Sequence, residues 1–342
     1  MNPARPGVAR RGVARSARVA GRGLFTGAPG EIHVSPAPAG TGLVFVAAQT
    51  NARIPAHVSR VLPPGAFGLP GRNTILALNP EKPSIGEAVL TVEHVLSAAS
   101  ALGVTDAVFE VRGPEVPIAD GSAAPFVEML REAQVIELAG TVAPIVVERE
   151  IVVEDGKGGR IIARPAARAE AGTRAEAAAI PGLLAMYLLE YGAETGLGTQ
   201  RAQLKLEWGE VDAVAGGRGG AGGGSRRHER AFEAGVAPAR TFCLRREAEA
   251  MRAAGLFKDF SARDLVVVNE DGEPIENDWR LDDEPARHKL LDLIGDLALV
   301  GAPIVASVIA ERSGHALTHE LGRRVLAESG VDMGGGAAGG LP

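Results

Sequence analysis

The segment Arg287-His288-Lys289-Leu290-Leu291-Asp292-Leu293-Ile294-Gly295-Asp296 carries the sharpest chemical pattern in the chain. On a helix, His288 and Asp292 stand at i and i+4, so both side chains leave one face a turn apart. An imidazole nitrogen and a carboxylate oxygen at that spacing can chelate a divalent ion, and zinc suits such donors. Asp296 extends the stripe by another turn. Carboxylates among Leu and Ile are costly to bury unless something compensates them. Read alone, the same residues also describe an ion-pairing, solvated helix face.

Thr91-Val92-Glu93-His94 supplies a second half. Neighbouring helical residues diverge by about a hundred degrees, so Glu93 and His94 cannot chelate one ion in the i,i+4 manner. They can straddle it, His94 as ligand and Glu93 reaching a bound water, as in zinc hydrolases. His94, His288 and Asp292 with water in the fourth position would make an open, catalytic site. A lone Glu-His pair equally describes an ordinary helix start. His315 follows an apolar stretch ending at Ala310 and opens a further helix, a position for a general acid or a structural histidine. His319, four residues on, reads as an ordinary residue because nothing near it in sequence completes a ligand set. His33 and His57 read as surface or packing residues, and His228 as solvated.

Composition narrows the alternatives. The 342 residues, 46% hydrophobic and 23% charged, are enough for two ordinary domains. A net charge of −6 argues against general nucleic-acid binding. The single cysteine, Cys243, excludes a disulfide framework and cysteine-based metal sites, so a metal must use His and carboxylates. No apolar run reaches eighteen residues, and no membrane span is expected. Residues 1–13 read as a basic arm lacking the apolar core of a secretory signal, and the expected compartment is the cytoplasm.

These residues need elements to position them. Gly and Pro punctuation predicts strands near 14–20, 31–35, 43–47 and 107–111. A helix is expected over 92–102, capped by Thr91 and stopped by Gly103, and another over 120–133. Strands are expected again at 145–153 and 160–164, then a helix over 287–299. Two strands and a later His-bearing helix thus occur twice, which predicts two related α+β halves, near 14–138 and 144–328. Segments 166–178 and 213–230 read as insertions; residues 216–225 hold seven glycines in ten. Residues 329–342 read as a Gly-rich tail.

The stretches LTVEHVLSAASALGVTDAVFEV, PEVPIADGSAAPFV, ARTF, ARHKLLDLIGDLAL and SGHAL resemble, in order and spacing, the zinc-dependent UDP-3-O-acyl-N-acetylglucosamine deacetylase family of lipid A biosynthesis. The resemblance covers roughly 14–328 apart from the insertions. It implies an α+β fold of two related domains, each a sheet packed on helices, with the helices sandwiched between the sheets and the metal at the domain interface. It implies one Zn²⁺ per chain, with Fe²⁺ as alternative occupant, held by His94, His288 and Asp292, and Glu93 as general base. His315 matches the histidine that protonates the leaving amine or steadies the oxyanion, and Asp296 the acid that orients it. Thr241 matches a hydroxyl that holds the oxyanion, Lys289 a lysine that meets the diphosphate, and Phe242 an aromatic of the substrate cleft. The implied partner is an acylated UDP-sugar, with membrane contact limited to its acyl chain.

The chain departs from the family pattern at Phe25, at Lys258-Asp259-Phe260, at Tyr191-Gly192-Ala193-Glu194 and at Asn73-Thr74-Ile75-Leu76, where some members have a cysteine. A related amidase acting on another acylated sugar, and a metal-binding regulator without turnover, are the rival readings. Glu93 and His315 argue against the second, which has no use for a base and an acid.

Overall fold

The structure, a computed structural model, describes residues 7–166, 182–208, 226–257, 259–262 and 265–330. The segment 167–178, residues 213–225, the tail beyond 330 and Lys258, all singled out in the sequence, lie outside the described residues.

The first half contains β1 (Val8–Val13), β2 (Ala17–Arg22), β3 (Pro29–Ser35), β4 (Leu43–Ala47), β5 (Ala52–Pro55), β6 (Ile75–Ala77) and β7 (Ala88–Leu90). Helix α1 (Glu93–Ala101), β8 (Ala107–Arg112), α2 (Ala124–Glu132) and β9 (Val135–Val142) follow. Strands β2-β3-β8-β4-β5 form one sheet in that order, with β8 antiparallel to β3 and parallel to β4.

The second half contains β10 (Ile145–Val146), β11 (Ile151–Glu154), β12 (Arg160–Arg164), β13 (Leu183–Glu190) and β14 (Thr199–Leu206). Then come α3 (Arg227–Gly235), β15 (Phe242–Leu244), α4 (Arg245–Ala253), β16 (Val266–Val268), α5 (Glu284–Leu297), β17 (Ile304–Glu311) and α6 (His315–Ser329). Its sheet runs β11-β12-β17-β13-β14, with β17 antiparallel to β12 and parallel to β13. That is the strand order of the first half. A hairpin, a second hairpin, a helix, a central strand and a final helix recur, and the repeat is plain in topology where the sequence shows it weakly.

Helix α1 packs on α5, while α5 lies against β13 and β14. Nearly every α5 residue is buried, which its Leu- and Ile-rich sequence requires of a helix covered on both sides. The two halves therefore meet helix to helix between the sheets, as expected of the α+β architecture.

Several expectations need correction. Residues 8–13 are not a free basic arm but strand β1, paired antiparallel with β9. Arg10 is held by Asp106 at 3.0 Å and Arg11 by Glu229 at 2.7 Å, so partners neutralise the local charge. Strand β9 runs through the boundary expected at 138. Residues 226–230 are not part of an insertion: α3 begins at Arg227, and His228, expected in solvent, is buried. Thr91 does not cap α1; Val92 is the cap residue, and Thr91 takes a left-handed φ of 62°. Its hydroxyl instead donates to buried Glu115 at 2.8 Å. Residues 120–123 form a turn in which the Asp120 carboxylate accepts from Ser122, and α2 starts after it.

Candidate metal centre and active site

Four elements converge on one cleft. Glu93 and His94 open α1, His288, Lys289 and Asp292 lie along α5, His315 opens α6, and Thr241 immediately precedes β15. The approach of α1 to α5 depends on Gly295, where an added Cβ would stand 2.1 Å from the Glu93 carbonyl oxygen. No other residue type allows that contact. Ahead of α6, the Tyr187 hydroxyl donates to the Ser313 carbonyl at 2.5 Å and pins the turn that presents His315.

Within the cleft, His94 Nε2 lies 3.7 Å and His288 Nε2 3.5 Å from Asp292 Oδ1. The two imidazole rings meet edge to face, 5.0 Å between centroids. His288 Nδ1 is 3.1 Å from the Ala239 carbonyl, which fixes a proton on Nδ1 and leaves Nε2 with a free lone pair. Lys289 Nζ donates to Asp292 Oδ2 at 2.5 Å. Asp292 Oδ1 is buried and has no hydrogen-bond partner. An orphaned carboxylate oxygen beside two imidazole nitrogens is a strong mismatch for a metal-free site. It is the donor set that a divalent ion would complete.

Protonation agrees with that fit. Burial pushes the His94 imidazolium down to about 3, aided by the neighbouring His288, and lowers His288 as well. Both rings are thus neutral and able to ligate. Burial opposes the Asp292 charge, but Lys289, aided by the charged His315, outweighs it and holds the carboxyl well below its usual range.

Beside the donors, Glu93 Oε2 accepts from the Thr74 backbone N–H at 3.0 Å. Burial raises its carboxyl to about 8. His315 Nδ1 donates to Asp296 Oδ2 at 2.7 Å, while its Nε2 lies 4.0 Å from Asp292 Oδ2. Burial disfavours the imidazolium, yet the Asp296 charge and hydrogen bond raise His315 to about 9.

A cavity of about 370 Å³ is lined by Glu93, His94, Thr241, Phe242, His288, Lys289, Asp292 and His315, eight of the nine residues singled out in the sequence. Asp296 is buried behind His315 instead. Leu24, Phe25, Ile118, Phe257 and Leu265 form an apolar cluster that also reaches the cavity wall. Phe25 and Phe257 pack with ring centroids 5.8 Å apart. Tyr191, one of the departures from the family pattern, lines the cavity and meets Phe242 edge to face.

Sequence reasoning missed Thr74 and misread His319. Thr74 holds Glu93 through its backbone and Asp296 through its hydroxyl at 2.6 Å. His319 is buried with Nε2 3.3 Å from Asp296 Oδ1. For His319 the i,i+4 spacing to His315 was the available signal; for Thr74 it was the departure from the family pattern over 73–76, which assigned the residue no role.

A His, His, Asp donor set with a buried carboxyl beside it and a carboxylate-paired imidazole across it, in a cleft with polar and apolar walls, defines a metal-dependent hydrolase. A sequence model of the family LpxC, UDP-3-O-acyl N-acetylglycosamine deacetylase, matches residues 10–181 and 224–327. The chain belongs to that family. It is 35% identical over 318 residues to the UDP-3-O-acyl-N-acetylglucosamine deacetylase of Anaeromyxobacter dehalogenans, covering 93% of this chain and 87% of that one. The protein of the same name from Anaeromyxobacter sp. strain Fw109-5 is 34% identical, covering 94% and 89%. That from Chlamydia pneumoniae is 30% identical, covering 91% and 95%.

Proposed function

We propose that this chain hydrolyses the 2-acetamido group of UDP-3-O-acyl-N-acetylglucosamine, releasing acetate and leaving the 3-O-acyl chain in place, in the biosynthesis of lipid A. The observation that carries this reading is the convergence of His94, His288 and Asp292 between Glu93 and His315 in one cavity. Zn²⁺ fits this donor set best, with Fe²⁺ as the alternative. Held there, the ion would supply Lewis acidity toward the acetamide carbonyl and acidity to a water.

The chain's own residues do the rest. Glu93, aligned by the Thr74 N–H, takes the proton of the attacking water. Thr241 lines the cavity and offers a hydroxyl to the developing oxyanion. His315, charged against Asp296, delivers a proton to the departing amine. An amide is a weak electrophile with a poor leaving group, and the base and acid address those two difficulties separately. Lys289 spends one N–H on Asp292 and keeps two for the diphosphate, and Phe242 flanks the sugar. The apolar wall around Phe25 and Phe257 receives the acyl chain.

No helix among the described residues is long and apolar enough to cross a membrane. We place the reaction in the cytoplasm, with membrane contact limited to the substrate's acyl chain. The test is acetate release from the acylated UDP-sugar by purified protein, with elemental analysis of the same sample. About one zinc per chain and stoichiometric acetate are expected. Release only from a different acylated sugar would favour the related-amidase reading, and metal without turnover the regulatory one.

A further inference from the structure

Asp296 is the junction of a buried hydrogen-bond chain that the deacetylation chemistry leaves unexplained. Its Oδ2 accepts from His315 Nδ1 at 2.7 Å, and its Oδ1 accepts from Thr74 Oγ1 at 2.6 Å. His319 Nε2 lies 3.0 Å from that hydroxyl and 3.3 Å from Asp296 Oδ1. His315 and His319 stand one turn apart on α6, ring planes 28° from parallel. Thr74, Asp296, His315 and His319 are all at least nine-tenths buried.

The direction of the chain follows from counting protons. A threonine hydroxyl has one, and Thr74 gives it to Asp296. Oγ1 can then only accept, so His319 Nε2 must carry the proton between them. His315 Nδ1 also lies 3.2 Å from Oγ1, which has no second proton to offer, so Nδ1 is a donor too. Asp296, His315 and His319 have donor atoms close enough for an ion of their own. Both Asp296 oxygens already accept hydrogen bonds, however, and this favours a proton-ordered network over a second metal.

We propose that His319 and Thr74 are positioning residues for His315. By holding Asp296 against rotation, they keep the His315 proton on Nδ1 and turn Nε2 toward the cavity. Neither lines the cavity, so both act through Asp296. The proposal rests on the reading of His315 as the acid.

The full-length enzyme should be compared with Thr74→Val, Thr74→Ser, His319→Ala and His319→Gln. Thr74→Val and His319→Ala should lower kcat by about ten- to a hundred-fold, the range for outer hydrogen-bond partners, with KM nearly unchanged. Ser and Gln, which restore a donor, should recover most of the rate. Independently of turnover, nitrogen-15 NMR of the metal-free proteins should show a slowly exchanging His315 Nδ1 proton. It should be present in wild type and the Ser and Gln variants, and lost with Val and Ala. Retention of that proton in Thr74→Val and His319→Ala, or loss of rate through KM alone, would overturn the proposal. If wild type released no acetate, the deacetylation reading would fall while the NMR result still decided the positioning.

Discussion

Gly295 of α5 abuts the backbone of Glu93 in α1, with room for a hydrogen but not for a methyl group. A Cβ at Gly295 would lie 2.1 Å from the Glu93 carbonyl oxygen and 3.2 Å from its Cα. The proposed metal donors on α5 and the proposed base on α1 owe their proximity to this crossing. Gly295→Ala should therefore force the helices apart, costing about 1–3 kcal/mol of stability as overpacking does. Metal affinity should fall with it, since His94 moves relative to His288. Thermal unfolding with elemental analysis checks this, and unchanged metal content would mean that the crossing does not set the donor distances.

Glu93 and His94 are sequence neighbours to which the proposed function gives separate tasks. Glu93→Ala should keep the metal and lose roughly 10²–10⁴-fold in turnover, the usual cost of removing a general base. His94→Ala should lose the metal itself. Equal metal content in the two variants would show that the division between base and ligand is wrong.

Activity should depend on pH through both flanking groups. In the proposed role His315 must be protonated to act, and Asp296 raises it to about 9 in the metal-free chain. A cation on the neighbouring Asp292 opposes the imidazolium, so the basic limb should lie below 9. Asp296→Asn removes the charge and should move that limb to lower pH; His315→Gln should remove it. Glu93 must be ionised, and burial raises it to about 8 in the metal-free chain. A cation on the adjacent His94 favours the carboxylate, which puts the acid limb below 8. A basic limb that stays put in both variants would assign the acid elsewhere.

The two halves are also tied away from the cleft. Glu229 of α3 accepts from Arg11 of β1 at 2.7 Å and from Arg131 of α2 at 2.8 Å. Burial would raise its carboxyl, but the two guanidinium groups outweigh that and lower it. A carboxyl lowered in the folded state stabilises above its unfolded value, and that contribution is lost as pH falls through the folded one. Glu229→Gln should cost about 3 kcal/mol at neutral pH, the low end for a buried pair because Arg131 is 34% exposed. Denaturant unfolding should show the gap between variant and wild type closing in acid. A constant gap would mean that packing, not charge, is what the substitution removes.

Much of the candidate site was legible because its spacing is local. His288 and Asp292 share a face by helical spacing alone, and the Gly and Pro punctuation locates β4 and β12 to the residue. The strand–helix order likewise suffices for two α+β halves. What the sequence could not decide depends on partners far along the chain. β1 looks like a basic arm until β9 supplies its ladder and Asp106 and Glu229 neutralise its arginines. His228 looks solvated until α3 packs. Thr74 stands out in the sequence only as part of a departure from the family pattern, and its hydrogen bond to Asp296, 222 residues away, exists only because folding brings the two together. Spacing along a helix is fixed by backbone geometry, whereas burial, protonation and the ordering of hydrogen bonds are properties of what tertiary packing brings alongside.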